Sequence, residues 1–265
     1  MIKFDFTGKI VLVTASSKGI GFAIAKAFFD SGAMVCLCAR TLEELQKSAN
    51  ILASVDKDRV FFLQGDIADI DFLETLVTQT QDYFKGEINI LINNSGGPKA
   101  ASIKDLTDQD WLTAIDSNLL SVVRLSGLIA EGMKNNKWGR IINLTSTTAR
   151  EPAAGMALSN VTRTAVASFS KTLAHELGPF GITVNNILTG GCLTERFYSL
   201  VKNVIATTGE TMEDAVTRLS ADQPVKYFAT PSEFANTVLY LATEESGYLT
   251  GASIPLDGGV SKSIF

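Results

Sequence analysis

The chain has 265 residues, 46% of them hydrophobic and 19% charged, with a formal net charge of −5 and a pI near 5.0. That length fits one α/β domain, 1–265, and the acidic balance lacks the basic stripe that nucleic-acid binding needs. Three cysteines (Cys36, Cys38 and Cys192) are too few, and odd in number, for a disulfide framework. With no signal-type start and no uninterrupted apolar run of about 18 residues, the expectation is a cytoplasmic protein with no membrane partner.

Strand and helix signals alternate along the chain. Ile10 to Val13 is a short apolar run that ends at a turn and predicts a buried strand. From Ile20 the period changes: Ile20, Ala23, Ile24, Ala27 and Phe28 recur at helical spacing, and Gly32 closes the segment. Met34 to Cys38 predicts the second strand, with Cys36 and Cys38 as buried thiols on one face. Leu42 to Leu52 predicts a helix, Val60 to Leu63 strand three, Phe72 to Phe84 a helix, and Ile88 to Ile92 strand four. One long helix is expected over about Asp108 to Lys134, then a strand over Arg140 to Leu144. A second long helix runs from about Leu158 to Leu177 and stops at Gly178-Pro179. Strand six is Ile182 to Ile187, the last helix Ser232 to Ala242, and the last strand Ser253 to Leu256. This alternation implies right-handed crossovers and a doubly wound, Rossmann-type parallel sheet of seven strands with helices on both faces.

Several motifs sit at the turns between these elements. The first strand–helix turn reads Thr14-Ala15-Ser16-Ser17-Lys18-Gly19-Ile20-Gly21. Gly19 and Gly21 let backbone approach a pyrophosphate, and a helix N-terminus offers it free N–H groups. Ser16 and Ser17 add hydroxyl donors. The end of strand two carries Ala39 and Arg40. No carboxylate stands there to bind a ribose 2′-hydroxyl or to repel a 2′-phosphate, while Arg40 and Lys18 offer charge. These residues predict NADP(H) rather than NAD(H).

With Asn93-Asn94-Ser95-Gly96, Asn118 and Ser146, this turn makes the chain resemble the short-chain dehydrogenase/reductase family, and within it 3-oxoacyl-[acyl-carrier-protein] reductase-like members. The likeness runs from about Gly8 to Gly259 and is weakest over 195–222, the segment that caps the substrate in that family. It implies that Asp66 and Ile67 contact adenine, that Asn94 and Gly96 border the cofactor, and that Gly190 and Thr194 hold the nicotinamide end. It also implies a homo-oligomer, with a tetramer favoured, formed through the two long helices. Leu119, Val122 and Val123, then Ala165, Phe169 and Leu173, have the spacing for such contacts.

The chain departs from the family in four places. The family's first glycine is Ala15, which fits only if that position does not need φ > 0. Ser95 stands for an alanine, and Thr189 for a proline. Most importantly, the family's Tyr-x-x-x-Lys pair, thirteen residues after the serine, reads Ser159-Asn160-Val161-Thr162-Arg163. The resemblance gives Ser146 the task of orienting the substrate oxygen, Asn118 a water relay, and the Tyr and Lys positions proton delivery and ribose binding. Ser159 is a far weaker acid than tyrosine, and Arg163 can bond a ribose but stays protonated.

Three readings follow from the residues. The first is an NADP(H)-dependent oxidoreductase acting on a carbonyl or alcohol small molecule through an altered proton route. The second is a catalytically impaired dinucleotide-binding protein, a sensor or a partner subunit. The third is a non-redox enzyme that reuses the pocket. His175 lies too far along its helix to replace Ser159 and is expected to be structural or on the surface. Tyr198, in the expected lid at about 190–222, is the nearest tyrosine that could stand in as an acid.

Overall fold

The computed structural model describes residues 4–264. Its sheet joins β1 (Ile10–Val13), β2 (Met34–Ala39), β3 (Val60–Gln64), β4 (Ile90–Asn93), β5 (Gly139–Leu144), β6 (Ile182–Thr189) and β7 (Ser253–Leu256). All pair in parallel, in the order β3-β2-β1-β4-β5-β6-β7. The chain therefore reverses its direction of winding between β1 and β4. Open α/β sheets bind ligands outside the carboxyl ends of the strands at such a point.

The helices are α1 (Gly19–Asp30), α2 (Leu42–Ala53), α3 (Ile70–Phe84), α4 (Asp108–Ile115), α5 (Ser121–Asn135), α6 (Ala157–Leu177), α7 (Glu195–Thr208), α8 (Met212–Ser220) and α9 (Pro231–Leu241). Central strands have solid apolar runs because both faces are covered. On one face Val11, Val13, Ile24, Phe28 and Phe234 form a core with α1 and α9. On the other Leu12, Cys36, Cys38, Leu73, Leu125 and Leu173 do so with α3, α5 and α6. The two thiols are buried there, and burial pushes Cys38 up to about 12 and Cys36 higher still. Both belong to the packing, as the alternation implied.

Polar residues also cross the core. Asn93, Asn143, Asn186 and Ser253 stand in register on β4 to β7. Asn93 Nδ2 donates to Asn143 Oδ1 (2.8 Å), Asn143 Nδ2 to Asn186 Oδ1 (3.1 Å), and Asn186 Nδ2 to Ser253 Oγ (3.1 Å). Each buried amide thereby meets a partner one strand away, which avoids the cost of an unsatisfied polar group.

Two expectations change. The first long helix is interrupted: α4 passes into a π-helical turn, Asp116–Leu120, before α5 begins. The extra residue in that turn aims Asn118 into the interior, where it is 1% exposed. The Asp108–Asn135 stretch is, among the described residues, the one helix long and apolar enough to cross a membrane. It packs on α3 and α6 instead and buries Asn118, Ser121 and Ser126, so it serves as a core helix. Finally, Val122 and Leu173 turn into the chain's own core rather than outward. The exposed apolar residues on these helices are Leu112 and Val161, more than half open.

Candidate functional site

A cavity of about 650 Å³ runs along the carboxyl ends of β1 to β4. Its floor is the turn after β1. Gly19 has φ +59, and a Cβ on Gly21 would sit 2.4 Å from the Ala15 carbonyl oxygen and 2.6 Å from Asn94 Nδ2. Only glycine fits at position 21, so α1 starts close against β4. Ala15 itself has φ +46. This position does need a left-handed backbone, and alanine adopts it at a cost of about 1–2 kcal/mol. Asn94 holds the loop: its Nδ2 donates to Ala15 O (3.1 Å), and its backbone N–H donates to Thr14 Oγ1 (2.8 Å).

Ser17, Lys18, Gly19, Ile20, Gly21, Arg40, Asp66, Ile67, Asn94, Gly96 and Thr194 all line this cavity. Ser16 does not. It is fully buried, with Oγ donating to Val13 O (2.7 Å) and accepting from Cys38 N (3.1 Å). Its hydroxyl ties β1 to β2 and is not available to a ligand. Lys18 is also committed. Its Nζ pairs with Glu44 (2.7 Å) and with Glu195 on the first turn of α7 (3.4 Å). The Glu44 bond is the main reason the Lys18 pKa is raised. Glu44 thus brings to the cavity a carboxylate that the strand-end residues alone do not reveal. Arg40 remains exposed on the rim, with no ion pair among the described residues.

A second cavity, of about 330 Å³, adjoins the first and is lined by Ser146, Ser159, Arg163, Gly190, Thr194 and Arg196, among others. The Gly96 carbonyl links two expected site residues: Asn118 Nδ2 donates to it at 2.9 Å and Arg163 Nη2 at 3.5 Å. Asn118 Nδ2 also donates to Ser95 Oγ (2.8 Å), so the serine that replaces the family's alanine is used. Arg163 is 5% exposed, donates through Nη1 to Leu144 O (3.2 Å), and has no partner at Nε. Burial, and then the nearby charge of Arg196, lower its pKa to about 10. It is still charged at neutral pH.

Thr148 is a residue that the motif comparison missed. It lies in the 3-10 turn Thr147–Ala149, just behind the cavity wall. Its Oγ1 donates to Ser146 Oγ (3.1 Å) and bonds Ser159 Oγ (3.1 Å). A threonine hydroxyl has one hydrogen. With that hydrogen on Ser146, Ser159 is the donor to Thr148. Ser146 Oγ also accepts the Thr148 backbone N–H (3.2 Å), so its own hydrogen is left to point at a ligand. The three hydroxyls form a chain with one direction, Ser159 to Thr148 to Ser146.

The segment expected to be the lid folds as α7 and α8. Thr194 caps α7 by accepting from Phe197 N (3.3 Å). Phe197 lines the second cavity and packs on Phe228, ring centroids 4.6 Å apart. Val201 is buried. Leu200 and Val204, two members of the lid's apolar stripe, have side chains outside the described residues. Tyr198 lines neither cavity, and His175 is exposed.

A doubly wound parallel sheet with a glycine turn and a long cleft at its switch point defines a dinucleotide-binding fold of Rossmann type. The family model described as enoyl-(acyl carrier protein) reductase matches residues 14–261. The chain belongs to the short-chain dehydrogenase/reductase family. It is 31% identical over 256 residues to the 3-oxoacyl-[acyl-carrier-protein] reductase FabG of Escherichia coli, covering 97% of this chain and 98% of that one. Its fold is similar to that of L-sorbose reductase from Gluconobacter frateurii complexed with NADPH and L-sorbose, at a TM-score of 0.94 and 31% identity, covering 99% and 100%. It is also similar to an actinorhodin polyketide ketoreductase solved with NADPH, at a TM-score of 0.89 and 28% identity, covering 96% and 98%.

Proposed function

We propose that the protein is an NADP(H)-dependent oxidoreductase that interconverts a carbonyl and an alcohol through a relay of three hydroxyls. The observation that carries this reading is the one-way chain Ser159–Thr148–Ser146, which opens into the cavity beside Arg163. The whole chain acts as one dinucleotide-binding domain, and 190–222 serves as its substrate lid.

The cavity suits a dinucleotide. Gly19 and Gly21 bring the N-terminus of α1 to the phosphates, and Asp66 and Ile67 border the adenine end. Thr194 and Gly190 hold the nicotinamide end, and Arg163 bonds its ribose. Arg40 is the cation that selects a 2′-phosphate, because Lys18 is already neutralised by Glu44 and Glu195. NADPH in the solved complexes of similar reductases supports the same choice. When bound, the reduced nicotinamide supplies hydride to a carbonyl carbon.

The protein's part is to hold and protonate the carbonyl oxygen. Ser146 donates a hydrogen bond to it. As negative charge develops there, the oxygen takes the Ser146 proton, Ser146 takes that of Thr148, and Thr148 takes that of Ser159. A cavity water returns a proton to Ser159, and solvent neutralises the hydroxide. The buried Arg163 charge favours the developing oxyanion.

NADPH oxidation with a carbonyl panel, run beside fluorescence titration of NADPH and NADH, tests the reading. NADPH should bind more tightly, and Arg40→Asp should erase the preference. Equal affinities in the parent protein would refute the cofactor assignment. Binding of NADPH without turnover of any carbonyl would favour the sensor reading. We also propose a homotetramer joined through the α4–α5 and α6 faces, on which Leu112 and Val161 stand exposed. Light scattering at micromolar concentration should give four times 28.4 kDa, and a monomer mass would exclude it. A reducing, cytoplasmic setting suits its three buried free thiols.

A further inference from the structure

Lys18 ties three elements together at the wall of the larger cavity. Its Nζ lies 2.7 Å from Glu44 on α2 and 3.4 Å from Glu195 on α7, and all three residues line that cavity. The pairs Lys26–Asp30 and Lys47–Glu43, by contrast, each stay within one helix and line neither cavity. Glu43 and Glu44 both stand in the first turn of α2, where a negative charge favours the helix N-terminus. Of the two, only Glu44 holds a cation that the glycine turn presents to a ligand.

Arg40 lines the same cavity, exposed and without an ion pair among the described residues. Lys18 and Arg40 together would match a 2′-phosphate, which adds about two negative charges to a ribose. Glu44 and Glu195 cancel the charge of Lys18, and a phosphate arriving there meets Glu44 as a like charge. An NAD site has its acid at the end of β2. Here that residue is Ala39, and the acid stands on α2 and acts through a lysine. We propose that Glu44 is a specificity-determining residue: by holding Lys18, it limits the preference of the site for a 2′-phosphorylated adenosine ribose. This rests on the dinucleotide reading of the cavity and deepens it, since the cofactor preference becomes a balance set from α2. An ammonium group has three hydrogens, so without the Glu44 carboxylate Lys18 can keep Glu195 and still donate to a phosphate. With Lys18 52% and Glu44 40% exposed, solvent screens the pair, and the effect is a few-fold.

Calorimetry with adenosine 2′,5′-bisphosphate and with 5′-AMP tests this without turnover, because the two probes differ only in the 2′-phosphate. Glu44→Gln should bind the bisphosphate about threefold or more tighter than the parent does, with 5′-AMP within about twofold. Glu43→Gln removes the same charge from the same helical turn and should change neither. The gain should shrink as salt rises, and it should vanish when Glu44→Gln is made on a Lys18→Met background. Unchanged bisphosphate affinity in Glu44→Gln, an equal gain from Glu43→Gln, an equal gain for 5′-AMP, or a gain that survives without Lys18 would each overturn the inference. A parent protein that binds neither probe would overturn it together with the dinucleotide reading. The expected pattern in a protein that reduces no carbonyl would support it and sink the reductase reading alone.

Discussion

Thr148→Val removes one hydroxyl from the middle of the chain and keeps the shape of the side chain. Thr148 is 7% exposed, and its Oγ1 makes two bonds of 3.1 Å, to Ser146 and to Ser159. A merely structural threonine would lose those bonds at a cost of about 1–3 kcal/mol in stability, with little effect on kcat. A relay predicts more. Ser146 would still be oriented, because the residue-148 backbone N–H that bonds its oxygen (3.2 Å) survives the change. It could donate one proton but could not recover it from Ser159. The loss expected for a positioned proton donor is about 10²-fold or more in kcat, or about 2.7 kcal/mol of barrier. Thr148→Ser should recover most of the rate. The assay is single-turnover NADPH oxidation in H₂O and D₂O with saturating substrate, and each variant is first titrated with NADPH and melted. The parent should show a curved proton inventory, as expected when several protons move together, and the valine variant should lose the curvature. A kcat within about twofold of the parent, with a lowered melting temperature, would refute the relay and leave Thr148 as packing.

Two further substitutions probe the family's departures. Ser159→Tyr with Arg163→Lys should raise turnover of an activated ketone by about tenfold or more, within the span of general-acid catalysis. Tyrosine alone should do little, since its pKa stays near 10, and Ser146→Ala should abolish the gain. No gain in a double variant that still binds NADPH would mean that the pocket has diverged beyond the altered pair, and would move the sensor and non-redox readings ahead of the oxidoreductase. Ala15→Gly should relieve the left-handed alanine at φ +46. Against about 1–2 kcal/mol of strain, the glycine adds about 0.4–1 kcal/mol of unfolded-chain entropy. A net gain of about 0.5 kcal/mol in denaturant unfolding is expected, and a net loss would show that the Cβ makes contacts worth more than the strain.

What could be read in the sequence was whatever depends on a local period. The seven strands appear where their apolar runs lie, shifted by at most two residues at an end. Ile88 and Asn89, for example, precede β4 rather than opening it. The glycine turn lines one cavity together with Asn94 and Thr194, the two residues that the family resemblance assigned to the cofactor. The misses all involve geometry that a period does not record. A π turn inserts one residue without disturbing the apolar stripe, so α4 and α5 read as one helix although the insertion is what buries Asn118. Ser16 looks like its neighbour Ser17 in a list of hydroxyls. The two differ because one points into the sheet, and that follows from the left-handed turn at Ala15. Lys18 reads as a free cation because its partners, Glu44 and Glu195, lie on α2 and α7.

Thr148 shows the limit most clearly. The run Thr145-Ser146-Thr147-Thr148 is visible in the sequence, but which hydroxyl meets Ser159 is set by a single 3-10 turn. Thr145 instead bonds Ile187 O on β6. The loss of the family's tyrosine therefore looks like the loss of an acid when it is read along the chain. In three dimensions it leaves a serine whose only hydroxyl partner among the described residues, Thr148, leads back to Ser146. The relay proposed for this site rests on that contact between residues eleven apart.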